Sequence, residues 1–353
     1  MYEIDFLPIE QTGELGSKSG DAITVRFTES ATELWRVVVI DGGYSYTGEA
    51  VVEHIRKWYA TDWVDLVIST HPDQDHINGL ATVLEELTVG ELLIHRPHNH
   101  TPDFARVSNI EVIDAVIGLA EDQGVRVSEP FTGLTRFGGQ LRILGPTEDY
   151  YEELLAAHVN EVKSEEANRR AVLSILRQRL SAGVASLFDR MLSYMPVETL
   201  GEDGKTGPRN NSSVVTLLTS DSDERMIFTG DAGIPALDAA WDEYDRLVNP
   251  QLIDWSLGFF HAPHHGSHHN LSPSLLNRMF GKPGENRRNI TSFVSSAKND
   301  PKHPSPKVTN ALQRRGLSVY ATEGHQLLHH SSDAPPRWWS AATPVPIAAE
   351  DDD

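Results

Sequence analysis

The apolar run VDLVIS, residues 64–69, passes without a break into THPDQDH, residues 70–76. The first reads as a buried strand, and the second sets His71, Asp73, Asp75 and His76 within six positions directly at its end. One reading is a polar turn that caps the following helical pattern INGLATVLEEL, but capping asks for a single Asp or Asn. The other is a metal centre. Imidazole and carboxylate are the groups that divalent transition ions take, and a tight turn at a strand end can aim several of them inward. The chain has no cysteine, so any metal must be held by His, Asp and Glu.

Strand patterns recur at YEIDFL, AITVRF, WRVVVI and ELLIHR, with the helical pattern GEAVVEHIRKWYA before VDLVIS and SNIEVIDAVIGLAEDQG after ELLIHR. VRVSE and LRILGP complete a first half of sheet and interleaved helices. A charged helical stretch follows over about 148–195, including RRAVLSILRQRL and VASLFDRML, and then a polar, Gly-rich loop, GEDGKTGPRN. Sheet patterns resume at SVVTLLTS, RMIFTG, LGFFHA, ITSFVSS, LSVYAT and HQLLHH. The simplest architecture is one α/β domain over residues 1–335, made of two similar halves, with a helical insertion at about 148–208 between them. Residues 336–353, ending in IAAEDDD, are expected to form an acidic, disordered tail.

The strand ends carry the chemistry. WRVVVI ends in Asp41-Gly42-Gly43, RMIFTG runs into Asp231, and LGFFHA into Pro263-His264-His265-Gly266-Ser267. With FLPIEQ, SGDAITV, IDGG, THPDQDH, NNSSVV, TGDA, HAPHHGS, SSAKNDPKHP and YATEGHQL in this order, the chain resembles the metallo-β-lactamase superfamily, and within it the hydrolase domain of ComEC-type competence proteins. The resemblance runs from about residue 2 to 330, the insertion excepted. It implies a four-layer αββα sandwich with two divalent ions, Zn²⁺ or Mn²⁺, at one edge. His71 and Asp73 would hold the first ion, Asp75 and His76 the second, and Asp231 would bridge them, with His264 or His265 completing the second site. Asp73 stands where His is commoner in the superfamily. A further His is absent near Asn210-Asn211-Ser212-Ser213, which makes the first site oxygen-rich and favours Mn²⁺ or Mg²⁺ over zinc. Asp41, Asn211 and Ser213 would orient the ligand loops, although Asp41 also fits as a turn residue before Gly-Gly. Asn299 and His303 would lie near the reacting group, with Asp75 and Asp231 acting through the metals.

Charge separates the functional readings. The net charge of −21, from 51 acidic and 30 basic residues, opposes a protein that coats nucleic acid. Residues 282–315 nevertheless carry eight Lys/Arg against two acids, and Lys298, Lys302 and Lys307 surround Asn299 and His303 as candidate substrate contacts. The leading expectation is a metal-dependent phosphodiesterase or nuclease acting on single-stranded or short DNA. The alternatives are a hydrolase of a small nucleotide, phosphoester or lactone, and a non-catalytic metal-binding interaction module. His95, His98, His100, His268, His269, His329 and His330 read as surface or loop residues. With no signal-like start and no apolar run of membrane length, a soluble cytoplasmic protein without a membrane partner is expected.

Overall fold

The computed structural model describes residues 1–13, 16–175, 198–248, 256–286 and 288–350. The first half contains β1 (Tyr2–Phe6), a ribbon of β2 (Gln11–Gly13) and β3 (Gly16–Lys18), β4 (Ala22–Thr28), β5 (Trp35–Gly42), β6 (Trp63–Ile68), β7 (Thr88–Leu93) and β8 (Arg126–Ser128). Its helices are α1 (Thr47–His54), α2 (Gln74–Ile77), α3 (Leu80–Glu86), α4 (Pro97–His100) and α5 (Ile110–Asp122). Next come β9 (Thr135–Arg136), β10 (Leu141–Gly145), α6 (Glu148–Ile175), α7 (Pro208–Asn211), β11 (Val215–Thr219) and β12 (Arg225–Phe228). The chain continues with α8 (Ile234–Leu247), β13 (Leu257–His261), α9 (Pro273–Phe280), β14 (Ile290–Val294), α10 (Pro306–Arg314), β15 (Leu317–Ala321) and β16 (Leu327–His330).

Two seven-stranded sheets result, ordered β16-β1-β4-β5-β6-β7-β8 and β15-β14-β13-β12-β11-β10-β9. Side-chain alternation makes each sheet apolar on both faces. On β5, Val38 and Ile40 enter the core between the sheets, while Val37 and Val39 enter the core beneath the helices. On β12, Met226 and Phe228 face the first sheet and Ile227 the helices. Residues of α1, α3 and α5 cover one outer face, and residues of α8, α9 and α10 the other. The architecture is therefore the αββα sandwich expected from the sequence.

The parallel runs β5-β6-β7-β8 and β12-β13-β14-β15 matter most for function. In open α/β sheets, ligands gather outside the carboxyl ends of parallel strands. Asp41, the His71–His76 loop, Asp231, the His261–His265 stretch and His303 all lie at or beyond such ends.

The helical stretch begins as expected with α6, whose first turns put Tyr151, Leu155 and Val159 into the core over the first sheet. The helix is thus part of one outer layer. Residues 176–197, which include VASLFDRML, lie outside the described residues. Residues 336–350 form no helix or strand, but several of them contact the sheets. Tyr2, Ile4 and Phe6 fill the core between the sheets, which leaves Glu3 and Asp5 buried on the opposite face of β1. Buried carboxylates require cations. Arg26 pairs with Glu3, and Arg337 reaches Glu3 at 2.8 Å and Asp5 at 2.6 Å, its guanidinium 5.2 Å from the rings of both Trp58 and Trp339. Farther on, the Val345 amide donates to the Val319 carbonyl and Glu350 pairs with Arg314.

Backbone-to-backbone contact fixes the loop after β6. A methyl group at Gly42 would sit 2.7 Å from the Gly79 carbonyl carbon, and one at Gly79 would overlap the Gly42 carbonyl oxygen. Neither peptide can retreat, because Gly42 ends β5 and Gly79 opens α3. Gly79→Ala is therefore expected to lower unfolding free energy by about 1–3 kcal/mol. Gly118→Ala, in α5 with open space around it, should raise it by about 0.5–1 kcal/mol. Denaturant melts of the two variants make the comparison.

Candidate metal centre

Asp231 lies at the centre of the site and is buried. It follows β12 through Gly230, whose φ of +49° turns the chain so that the carboxylate faces the first sheet. Ser213 Oγ accepts from the Asp231 amide at 3.1 Å, and Asn211 Oδ1 accepts from Gly233 N at 3.2 Å. Asn211 and Ser213 thus brace the loop from its backbone. The Asp231 carboxylate lies among imidazoles. His76 Nε2 is 3.4 Å from Oδ1, while His71 Nε2 at 3.6 Å and His264 Nε2 at 3.5 Å approach Oδ2. On the His76 side, His265 Nε2 is 3.5 Å and His76 Nε2 4.0 Å from Asp75 Oδ2.

This geometry separates His264 from His265, which the sequence left as alternatives for one position. His265 faces Asp75, and His264 faces the Asp231 oxygen shared with His71. Both have positive φ, +48° and +55°, and Gly266 follows at +78°. Two successive left-handed non-glycine residues cost free energy and persist only where surroundings impose them. The Gly230 carbonyl accepts from the His264 amide, Ser305 N donates to the Gly266 carbonyl, and Asn210 Nδ2 lies 3.0 Å from His264 Nδ1. His264, just beyond the end of β13, thus places an imidazole beside Asn210.

Asp73 is placed differently from the other expected ligands. Its Oδ1 accepts from Arg209 Nη1 at 2.6 Å, and its Oδ2 lies 3.9 Å from His71 Nε2. It joins none of the compact ligand groups: His71, His76 and Asp231; Asp75, His76 and His265; Asp21, Asp231 and His265; Asp21, Asp41 and His76.

Asp41 accepts from Thr70 N at 2.8 Å and Thr70 Oγ1 at 2.6 Å, and His76 Nδ1 lies 2.8 Å from it. It ties the β5 turn to the ligand loop and leaves His76 Nε2 facing Asp231. Sequence reading missed Asp21 and His261. Asp21 follows Gly20 just before β4, fully buried, with both oxygens lacking a hydrogen-bond partner among the described residues. His265 Nδ1 at 3.7 Å, His261 Nε2 at 3.6 Å and His76 Nδ1 at 3.8 Å surround it. A lone Asp in SGDAITV looks like an ordinary turn, and His261 looks like the end of an apolar strand.

Whether these residues suit a divalent pair is decided by their unpartnered atoms. His71 Nε2, His76 Nε2, His265 Nε2 and Asp231 Oδ1 are all buried without a hydrogen bond among the described residues. Leaving such groups unpaired is costly, and a cation satisfies them together. The electrostatics agree. Burial opposes ionisation of Asp75, yet His76 and His265 hold its pKa at about 2. Burial also opposes a proton on His265, but Asp231, Asp75 and Asp21 outweigh it and hold that imidazole at about 9. Burial and then His76 push His71 below its ordinary range. These His and Asp groups could hold divalent metal, with His71 and His264 on one side of Asp231 and Asp75, His76 and His265 on the other.

His303 lies at the rim, its ring 5.6 Å from that of His264, with Nδ1 3.3 Å from Asp300 Oδ2. Asn299 is exposed and joins the ribbon through its carbonyl, which accepts from Ser17 N at 3.1 Å. Lys298 and Lys302 are exposed and Lys307 is half-buried. Of the histidines expected at the surface, His95 is buried because α6 covers it, and His100 pairs with Glu129 at 2.9 Å.

No protein-family model matches the chain, and no curated protein matches it. Among solved structures it is similar to a candidate metallo-β-lactamase of Thermotoga maritima, at 11% identity over 65% of this chain and 78% of that one, TM-score 0.35. It is similar to unliganded yeast PDE1, at 11% identity over 92% and 98%, TM-score 0.41. The Rm3 metallo-β-lactamase aligns at 11% identity over 88% and 91%, TM-score 0.31. Likeness this distant says nothing of activity.

Asp21→Asn and Asp41→Asn test the carboxylates behind the ligand histidines. Each should weaken divalent-ion binding by about 10–100-fold with the fold intact, because loss of the carboxylate frees the ring it orients. Metal competition titrations with circular dichroism measure this. Unchanged affinity in Asp21→Asn would show that Asp21 does not orient His265.

Proposed function

We propose that this chain is a metal-dependent hydrolase, and that its substrates are phosphodiesters, short or single-stranded DNA foremost. The observation that carries the reading is the convergence of buried, unpartnered His and Asp atoms on the two oxygens of Asp231. A divalent pair there would supply Lewis acidity and an activated water at neutral pH. The chain's own residues do the rest. Asp41 holds the ring of His76, so its Nε2 stays aimed at the centre, while Asp21 faces His265 Nδ1 at 3.7 Å and adds negative charge behind that ring. Asp300 takes His303 Nδ1, which leaves the other ring nitrogen to meet an oxygen or proton of the substrate. Arg209, beside Asp73 at the edge of the site, supplies a planar cation suited to an oxyanion.

The ComEC-like order of motifs supports the DNA reading. The basic rim adds to it, because the field in a cleft depends on nearby charge more than on the total. Hydrolysis of a small phosphoester or lactone is the second reading, favoured by the short span of that rim. Among the described residues no helix is long and apolar enough to cross a membrane.

Three measurements test this. Asp75→Ala and Asp231→Ala should abolish metal-dependent hydrolysis while melting close to the wild type, and full activity in excess chelator would end the metal reading. Asp73→His should move metal preference toward zinc if Asp73, paired with Arg209 in this structure, turns to the metals when substrate binds, and no shift would leave it outside the ligand set. Lys298→Ala with Lys302→Ala should raise KM for single-stranded DNA and reduce the salt slope of kcat/KM by about one to two, whereas His303→Ala should lower kcat. Equal loss on an uncharged ester would favour the small-molecule reading.

A further inference from the structure

Two tyrosines beside the candidate centre have no part in the chemistry proposed for it. After Asp41 the chain leaves β5 through Gly42 and Gly43 and presents Tyr44 and Tyr46, whose rings lie parallel, with planes 7° apart and centroids 6.1 Å apart. Tyr44 is half-buried and packs on the core beneath the helices, while Tyr46 leans on it with 48% of its surface exposed. A single exposed aromatic ring is ordinary, but the position of this one is not. Among the described residues, the other large apolar side chains in water lie elsewhere: Leu34, Trp35 and Trp63 at the amino ends of β5 and β6, Leu247 at the end of α8, and the rest in the tail. Tyr46 alone lies beyond the carboxyl end of a parallel strand, where the candidate ligands gather.

The backbone holds the pair in place. The Tyr44 carbonyl accepts from the Thr47 amide at 2.8 Å and the Gly43 carbonyl from the Gly79 amide at 3.0 Å, which ties the turn to the openings of α1 and α3. The Tyr44 hydroxyl lies on the side of the centre: burial and then the charge of Asp75 raise its pKa against His76, and Tyr46 and Asp300 add to this. It is thus a neutral phenol, near both a candidate ligand and the carboxylate that holds His303. On the other side Tyr46 meets Glu10, whose Oε1 accepts from the Lys298 amide at 2.6 Å. The two rings therefore lead from Asp75 toward the loop that carries Lys298 and Lys302.

Resting on the phosphodiesterase reading above, we propose that Tyr44 and Tyr46 form a stacking platform for a nucleobase next to the phosphodiester held at the centre, Tyr44 as the support and Tyr46 as the ring that receives the base. Stacking needs one free face and no enclosing cavity, so an open rim suits it. Every base has a π-face, and the platform therefore reads no sequence, but it requires a base that has left its duplex. Single strands are favoured for that reason. A Tyr46 ring already parallel to its neighbour gives up little freedom on binding, and stacking supplies affinity that an acidic protein does not obtain from phosphate contacts.

The test measures binding to the metal-loaded protein by fluorescence anisotropy, with a short single-stranded oligothymidylate of slowly cleaved phosphorothioate linkages against an abasic strand of the same length and charge. The wild type should bind the thymidylate strand about tenfold more tightly. Tyr46→Ala, at an exposed side chain whose loss leaves the core packed, should remove most of that ratio, and Tyr46→Trp should keep or increase it. Tyr44→Leu, which keeps apolar volume against the core but withdraws the supporting ring, should reduce the ratio at least twofold. Equal affinity of the wild type for the two strands overturns the platform, as does a ratio that survives Tyr46→Ala or is lost in Tyr46→Trp. Cleavage of the phosphodiester-linked oligothymidylate separates this from the reading it rests on. A base preference that depends on Tyr46, without metal-dependent cleavage, supports the platform and overturns the phosphodiesterase. Metal-dependent cleavage without a base preference overturns the platform alone.

Discussion

Two buried carboxylates set the terms for this fold: both oxygens of Asp21 and Oδ1 of Asp231 lack a hydrogen bond among the described residues. Asp231 and Asp21 sit at the junction of the two sheets, where charge without a partner is unaffordable. What surrounds them is imidazole: His71 and His76 from the first sheet's loop, His261, His264 and His265 from the end of β13. Neither half of the chain could keep such groups alone. The sandwich brings the carboxyl ends of two parallel runs to one edge, and the charges of one sheet meet those of the other there. Packing and site are thus one problem, because separating the sheets would expose the apolar core and strand the carboxylates together.

Strain and close approach lie where this arrangement needs them. The left-handed pair His264-His265 turns two consecutive rings to opposite sides of Asp231, which a regular strand end would not do. The contact of Gly42 with Gly79 holds the ligand loop against β5, close enough for Asp41 to reach both Thr70 and His76. These local costs are small beside the burial that fixes them, since the cores on both faces of each sheet leave the loops little room to relax.

The fold was largely legible because its strands are apolar runs bounded by turn residues, and the His71–His76 cluster was legible because four ligand-type side chains fall within one turn. Asp21 and His261 were not, since each stands alone in sequence and acquires its meaning from partners that only the sandwich supplies. Asp73 shows the same limit in reverse: its spacing matched a ligand, but its nearest partner, Arg209, comes from α7. His95 read as a loop residue because nothing near it in sequence announces that α6 closes over it. Arg337 followed a Pro-Pro pair in a polar tail, and only the burial of Glu3 and Asp5 on the back of β1 explains its position.

Arg209 links the separate parts of the site. It pairs with Asp73 at 2.6 Å and stands beside His71. Its side chain is 39% exposed and that of Asp73 22%, so solvent screens the pair, and contacts of this kind contribute about 0–1 kcal/mol. The pairing therefore does not commit either residue: an anion that draws Arg209 leaves Asp73 facing His71, on the side of Asp231 where the sequence placed it.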